Sequence, residues 1–152
     1  METIEQNKVH LTRQTAKLDI HAEEFLEVCY DYDFQRFKNK SFKTLEKLAS
    51  YKDHNVNIEI IRVVTDKIVI LEPRESIVLK YCKYDHAADR LLSITKSIVL
   101  KDLPINEKLV RTNVHVSGFC YDTRKSDDGK GWVSEMQSYS FIDAQSKVPM
   151  II

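Results

Sequence analysis

Lys108-Leu109-Val110-Arg111-Thr112-Asn113-Val114-His115-Val116-Ser117-Gly118-Phe119-Cys120-Tyr121 is a long β-rich run, and its reading decides the fold. Read as one strand, it places Val110, Thr112, Val114, Val116, Gly118 and Cys120 on one face. Leu109, Arg111, Asn113, His115, Ser117, Phe119 and Tyr121 then share the other. Neither is a clean solvent face. Two readings stay open: an unevenly solvated edge strand, or a sheet lining a cavity that holds some polar groups.

Working outward, shorter β-rich runs flank it. They are Asn57 to Val64, Lys67 to Leu71 ahead of Pro73, Ser76 to Tyr84, Leu91 to Leu100 ahead of Asp102-Leu103-Pro104, and Trp132 to Asp143. Turn chemistry separates them at Lys52-Asp53-His54-Asn55, Thr65-Asp66, Asp85-His86 and Ser126-Asp127-Asp128-Gly129. Short connections favour antiparallel pairing. Upstream, Val9 to Ile20 reads as a strand and His21 to Lys38 as one helix. Asp19 is placed to cap that helix, Glu23 and Glu24 fall in its first turn, and Phe25, Val28, Cys29, Tyr32 and Phe37 form its apolar stripe. The class is α+β, one domain over 1–152, with no repeat or Pro/Gly-rich linker. One short helix is little cover for so much sheet.

Composition limits the partners. The 23 basic and 23 acidic residues cancel, so no basic field exists for nucleic acid, and none draws the chain generally to an anionic membrane. Lys38-Asn39-Lys40 is a short basic patch, read most simply as a solvated helix end that adds little to membrane contact. The three cysteines, Cys29, Cys82 and Cys120, are odd in number and lack Cys-x-x-Cys spacing, which suits a reduced, cytoplasmic compartment. The polar start Met1-Glu2-Thr3-Ile4-Glu5-Gln6 does not read as a signal peptide, and no apolar run nears the roughly 20 residues of a membrane span.

No motif announces catalysis or a cofactor. The five histidines, His10, His21, His54, His86 and His115, show no metal-ligand spacing. Three glycines cannot build a phosphate loop or a nucleophile elbow. The cysteines, in regular elements without basic neighbours, read as inert thiols.

An ordered set of motifs in the C-terminal half does carry a resemblance. Pro73-Arg74-Glu75-Ser76-Ile77-Val78 is followed by Leu91 to Leu100, Val110-Arg111-Thr112, Gly118-Phe119, Trp132 to Phe141 and Asp143-Ala144-Gln145-Ser146-Lys147-Val148-Pro149. This order and spacing resembles the START (StAR-related lipid transfer) domain family from about residue 8 onward. The chain departs from that pattern in several places. Phe37 stands where a Trp is usual, Glu75 replaces Asp, Ser76 an aromatic residue, and Ser146 the Gly of the last turn. It resembles a shortened or divergent member, without the family's opening helix and first strand, ending at Ile152 where the family begins its long C-terminal helix.

The resemblance implies a helix-grip fold, a curved antiparallel sheet around one hydrophobic ligand: a sterol, a phospholipid or a sphingolipid-like molecule, bound and transferred without chemistry. Such a site needs an apolar concavity with a few polar groups to orient the head group. Arg111, at the family's Val-Arg position, offers a guanidinium fork for phosphate or carboxylate; the alternative is an outer-face ion pair. Asn113 and His115 share its expected face, and Glu135 and Gln137 are placed to pair with it from the next strand. Phe119, Trp132, Tyr139 and Phe141 are expected either against acyl chains or as plain core. Two other functions remain open. One is a cyclase- or hydratase-like enzyme using Arg111, His115 and Glu135; the other is a regulatory module whose uncovered face takes a partner helix or a second copy. The expected partners are a lipid, transiently a membrane, and not nucleic acid.

Overall fold

β-branched residues fill seven of the ten positions from Val56 to Thr65, and Gly129 and Gly131 fall in the connection before Trp132. The computed structural model describes residues 2–6, 9–67, 72–103, 106 and 108–143. Its elements are β1 (Glu2–Gln6), β2 (Val9–Leu18), α1 (Ala22–Tyr30), α2 (Tyr32–Lys38), β3 (Phe42–Asp53), β4 (Val56–Thr65), β5 (Arg74–Asp85), β6 (Arg90–Ser97), β7 (Val110–Arg111), β8 (Asn113–Lys125) and β9 (Trp132–Asp143).

They form one nine-stranded sheet in the order β1-β2-β9-β8-β6-β5-β4-β3, antiparallel except for β7, which runs parallel to β5. The helices carry the chain from β2, near one edge, to β3 at the other, and the strands then meander back to β9 beside β2. That crossing lays α1 and α2 over one face of a curved sheet, the helix-grip arrangement.

The expected single helix is two. The Asp31 backbone N–H closes α1 on the Glu27 carbonyl at 3.0 Å, while its side-chain Oδ1 accepts from the Phe34 N–H of α2 at 2.8 Å. One residue thus ends one helix with its backbone and caps the next with its side chain. At the start of α1 the cap is His21, not Asp19: its Nδ1 accepts from the Glu23 N–H at 3.2 Å.

The strand β3 is absent from the sequence reading. It is an edge strand, exposed along most of its length, with register shifts between Phe42 and Thr44 and between Lys47 and Ala49. The shifts erase the alternation on which recognition depends, and its lysines are the charges that protect an open edge. The long run at 108–121 also divides. Thr112 separates β7 from β8, and a second register shift falls between Val114 and Val116. Arg111 therefore does not share a face with Phe119 and Tyr121. The expected strand Lys67 to Leu71 lies, from residue 68 on, outside the described residues, as do 144–149 of the final motif.

Two clusters form the core. Ala22, Cys82, Tyr84, Leu91 and Tyr121 gather under α1 with Phe25, Leu26 and Met136. Phe25 stacks on Tyr121 at 4.5 Å and meets Phe119 edge-on at 5.5 Å. Ile61, Val78 and Val114 form the second cluster with Tyr32, Leu45, Val63 and Ile142. Polar bolts fix the start of α1. The Tyr121 and Ser134 hydroxyls donate to the Ile20 carbonyl at 2.8 and 2.7 Å, and Thr123 Oγ1 accepts from the Ala22 N–H at 3.1 Å.

Candidate functional site

Register across the sheet arranges the helix-facing side chains in rows. Thr12 of β2 stands beside Ser140, Ser140 beside Ser117, Ser117 beside Thr95, Thr95 beside Lys80, Lys80 beside Glu59 and Glu59 beside Ser50. Every member is polar. The adjacent row, Gln14, Ser138, Phe119, Ser93, Cys82 and Asn57, is mostly polar as well. Apolar side chains flank this band: Met136, Tyr121, Leu91 and Tyr84 under α1, and Ile142, Val114, Val78 and Ile61 on the other side. The trough is thus greasy along its flanks and polar along its middle, where an apolar concavity with a few polar groups was expected.

Between α1 and β3–β5 lies a cavity of about 620 Å³, lined by Leu26, Tyr30, Lys47, Asn57, Glu59 and Cys82 among others. Its charged end is built by pairing. Glu59 is 3% exposed; the Tyr32 hydroxyl donates to its Oε2, and Lys47 Nζ lies 3.5 Å from its Oε1. Lys80 Nζ donates to the Cys29 carbonyl at 2.8 Å and sits 4.2 Å from the centre of the Tyr30 ring. The Tyr30 hydroxyl is buried with no hydrogen-bond partner among the described residues.

Desolvation sets the protonation states here. Burial lowers the Lys80 pKa, with Cys29, Cys82 and Glu59 pulling weakly the other way. Burial also raises the phenols of Tyr30 and Tyr32, the latter helped by the Glu59 carboxylate that accepts its hydrogen bond. The Cys29 thiol is pushed up to about 11 by burial against the pull of Lys80. The Cys29 thiol and the two phenols therefore keep their protons near neutral pH, and no activated thiolate or phenolate is among them.

The sequence-derived candidates do not converge on this place. Phe119 lies on the helix-facing side against Phe25. Trp132, 37% exposed, meets the His21 ring at 4.5 Å at the mouth of α1. Arg111 faces the opposite side, where its Nη2 is 2.9 Å from Glu75. Glu75 is 2% exposed and takes a second guanidinium, Arg62 Nε, at 2.8 Å. Arg111 and Asn113 line a separate cavity of about 310 Å³ beside Ile77, Leu100 and Leu103. His115 stands at the bulge in β8, its ring 4.9 Å from that of Phe141. Glu135 is exposed and accepts from Gln137 Nε2 at 3.3 Å; Tyr139, on the same outer face, lies 5.9 Å from the Arg13 guanidinium.

Glu59, Lys80 and Tyr32 escaped the sequence reading. Each of the first two is a lone charge inside an apolar strand, Asn57-Ile58-Glu59-Ile60-Ile61 and Val78-Leu79-Lys80-Tyr81-Cys82. That isolation was the available signal, but only the β4–β5 register makes them neighbours.

Among the described residues no group of His, Cys, Asp and Glu is gathered to hold a metal ion, and no helix is long and apolar enough to cross a membrane. Comparison with curated protein sequences gives no match. Among solved structures, human StAR-related lipid transfer protein 5 superposes with a TM-score of 0.75 at 15% identity, covering 98% of this chain and 74% of that one. The human StarD13 (DLC2) lipid transfer and protein localization domain gives 0.72 at 17% identity, over 94% and 67% of the two chains. A STAR-related lipid transfer protein fragment from Xanthomonas axonopodis gives 0.59 at 11% identity, over 91% and 80%. The START domain family model matches residues 2–152, and the chain belongs to the START domain family.

Proposed function

We propose that this START domain, acting as one unit, binds a single lipid in the trough under α1 and α2 and carries it between membranes without chemical change. The observation that carries the reading is the amphipathic inner face: apolar flanks for hydrocarbon, a polar middle, and a cavity of about 620 Å³ between α1 and the sheet. Phe119 and Trp132 are the two sequence-derived candidates on the helix-facing side of the sheet, against Phe25 and His21. The dispersal of Arg111, His115 and Glu135 over the outer side supports a non-enzymatic role, since acid–base chemistry needs them within reach of one substrate.

Membrane contact belongs to α2. Phe34 and Phe37 are 40% and 67% exposed, with Lys38 and Lys40 over their rings at 5.5 and 4.7 Å. Aromatic side chains beside lysines suit an anionic interface.

The test is lipid extraction. Protein incubated with mixed-lipid vesicles and re-isolated is analysed by native mass spectrometry. One lipid per chain is expected. Apo protein after every incubation, with no binding of an acyl-labelled fluorescent lipid, would overturn the proposal.

A further inference from the structure

The central row of the trough specifies more than a generic lipid. Thr12, Ser140, Ser117 and Thr95 stand side by side on four neighbouring strands and end at Lys80 and Glu59. Neighbouring strands are about 4.8 Å apart, so the hydroxyls recur at that interval across the floor. None of the four makes a side-chain hydrogen bond to a described residue. All four are half-buried, so a ligand in the trough covers them and removes their water.

Covered hydroxyls need partners. A bare acyl chain would leave all of them stripped. A sterol, with a single hydroxyl, would satisfy one. A ligand whose polar part carries several hydroxyls around a ring meets neighbouring members of the row at once, each hydroxyl able to donate and to accept.

The charges argue for a neutral head. Lys80 is the cation of the row, and its ammonium is already held by the Cys29 carbonyl and the Tyr30 and Tyr32 rings, with Glu59 beside it on the next strand. A phosphate placed there would meet the Glu59 carboxylate, which is buried and already accepts from Tyr32.

We infer that the lipid of this trough carries a neutral, polyhydroxylated head group of the glycosyl type, laid across β2, β9, β8 and β6 on the hydroxyl row, with its chains along the apolar flanks. This rests on the proposed lipid-binding reading and names the ligand class for the same site.

The experiment is competition against an acyl-labelled fluorescent lipid on the delipidated full chain. The competitors are a monoglycosyl diacylglycerol, the diacylglycerol with the same chains, the matching phosphatidate and cholesterol. The expected result is that the glycosyl lipid competes at least ten-fold better than each of the others. In the variant Thr95→Val/Ser117→Ala/Ser140→Ala, the ratio of glycosyl lipid to diacylglycerol falls to near one. Equal or better competition by diacylglycerol, phosphatidate or cholesterol overturns the head-group inference and leaves lipid binding standing, as does an unchanged ratio in the variant. Failure of the labelled lipid itself to bind overturns both.

Discussion

Tyr32, the first residue of α2, donates its hydroxyl hydrogen to the carboxylate of Glu59 in the middle of β4. The bond ties the helical cover to the sheet it covers and gives a nearly inaccessible carboxylate its strongest partner.

Tyr32→Phe removes that donor and leaves the buried Glu59 with Lys47 at 3.5 Å. Hydrogen bonds to charged groups contribute about 1.5–3 kcal/mol, so a stability loss in that range is expected in urea unfolding. Glu59→Gln in the Tyr32→Phe background should cost less than it does alone. Additive losses would show that the two side chains are not coupled.

Glu75 lies between two guanidiniums, Arg62 at 2.8 Å and Arg111 at 2.9 Å, on the face away from the helices. Glu75→Ala leaves Arg111 without its carboxylate and Arg62 with only Glu46 at 3.8 Å among the described residues, and is expected to cost about 3–5 kcal/mol. Arg111→Ala should cost less, because Arg62 continues to pair with the carboxylate. Denaturation midpoints of the two variants rank them, and a larger loss for Arg111→Ala would contradict this geometry.

Gly118→Ala tests the closest approach in the sheet. A Cβ there would stand 2.2 Å from the Ser93 carbonyl oxygen of the neighbouring strand, which is backbone and cannot turn aside. The β6–β8 pairing has to part, and a cost of at least about 1–3 kcal/mol is expected from thermal unfolding. A variant as stable as the parent would show that the two strands pair differently.

Asp31→Ala removes the side-chain cap of α2 and leaves the backbone N–H that closes α1. A loss of about 1 kcal/mol, with a fall in helical circular dichroism, is expected from the unsatisfied N–H groups at the start of α2. Asp31→Asn keeps the acceptor and should restore most of the loss.

The Cys29 thiol has its pKa raised from the ordinary 9.0 to about 11 by burial. The sign follows directly: the folded state holds this proton more tightly than the unfolded chain. Its contribution to stability is full below pH 9 and is lost between about pH 9 and pH 11. At pH 9 an ordinary thiol is half ionised and Cys29 only about one part in a hundred, so alkylation by iodoacetamide should be roughly fifty-fold slower in the folded protein than in urea. Peptide mapping of the modified cysteines reads the ratio; equal rates would place Cys29 in water.

Much of the sheet is legible from residue order because β4, β5, β6 and β9 are continuous runs of β-forming residues bounded by turn chemistry. The Asp85 side chain illustrates how local that chemistry is, accepting from the Ala87 and Ala88 N–H groups at 3.0 and 3.3 Å to turn β5 into β6. At β3 the same reasoning fails, because an exposed, bulged edge obeys neither alternation nor burial. It fails again at Arg111, where the break at Thr112 and the bulge after Val114 reverse the parity that had joined it to Phe119.

The amino-acid sequence by itself determined which segments extend, where the chain turns, that the helical segment starts near residue 21, and the order of motifs that marks the family. Only the tertiary structure decided which side chains come together: Tyr32 and Lys47 on Glu59, Lys80 beside Glu59 in register, and the hydroxyls of Thr12, Ser140, Ser117 and Thr95 in one row. Strand propensity and turns are local properties that each short segment carries with it. Cross-strand adjacency depends on register between segments far apart in sequence, and a single bulge turns every later side chain to the other face.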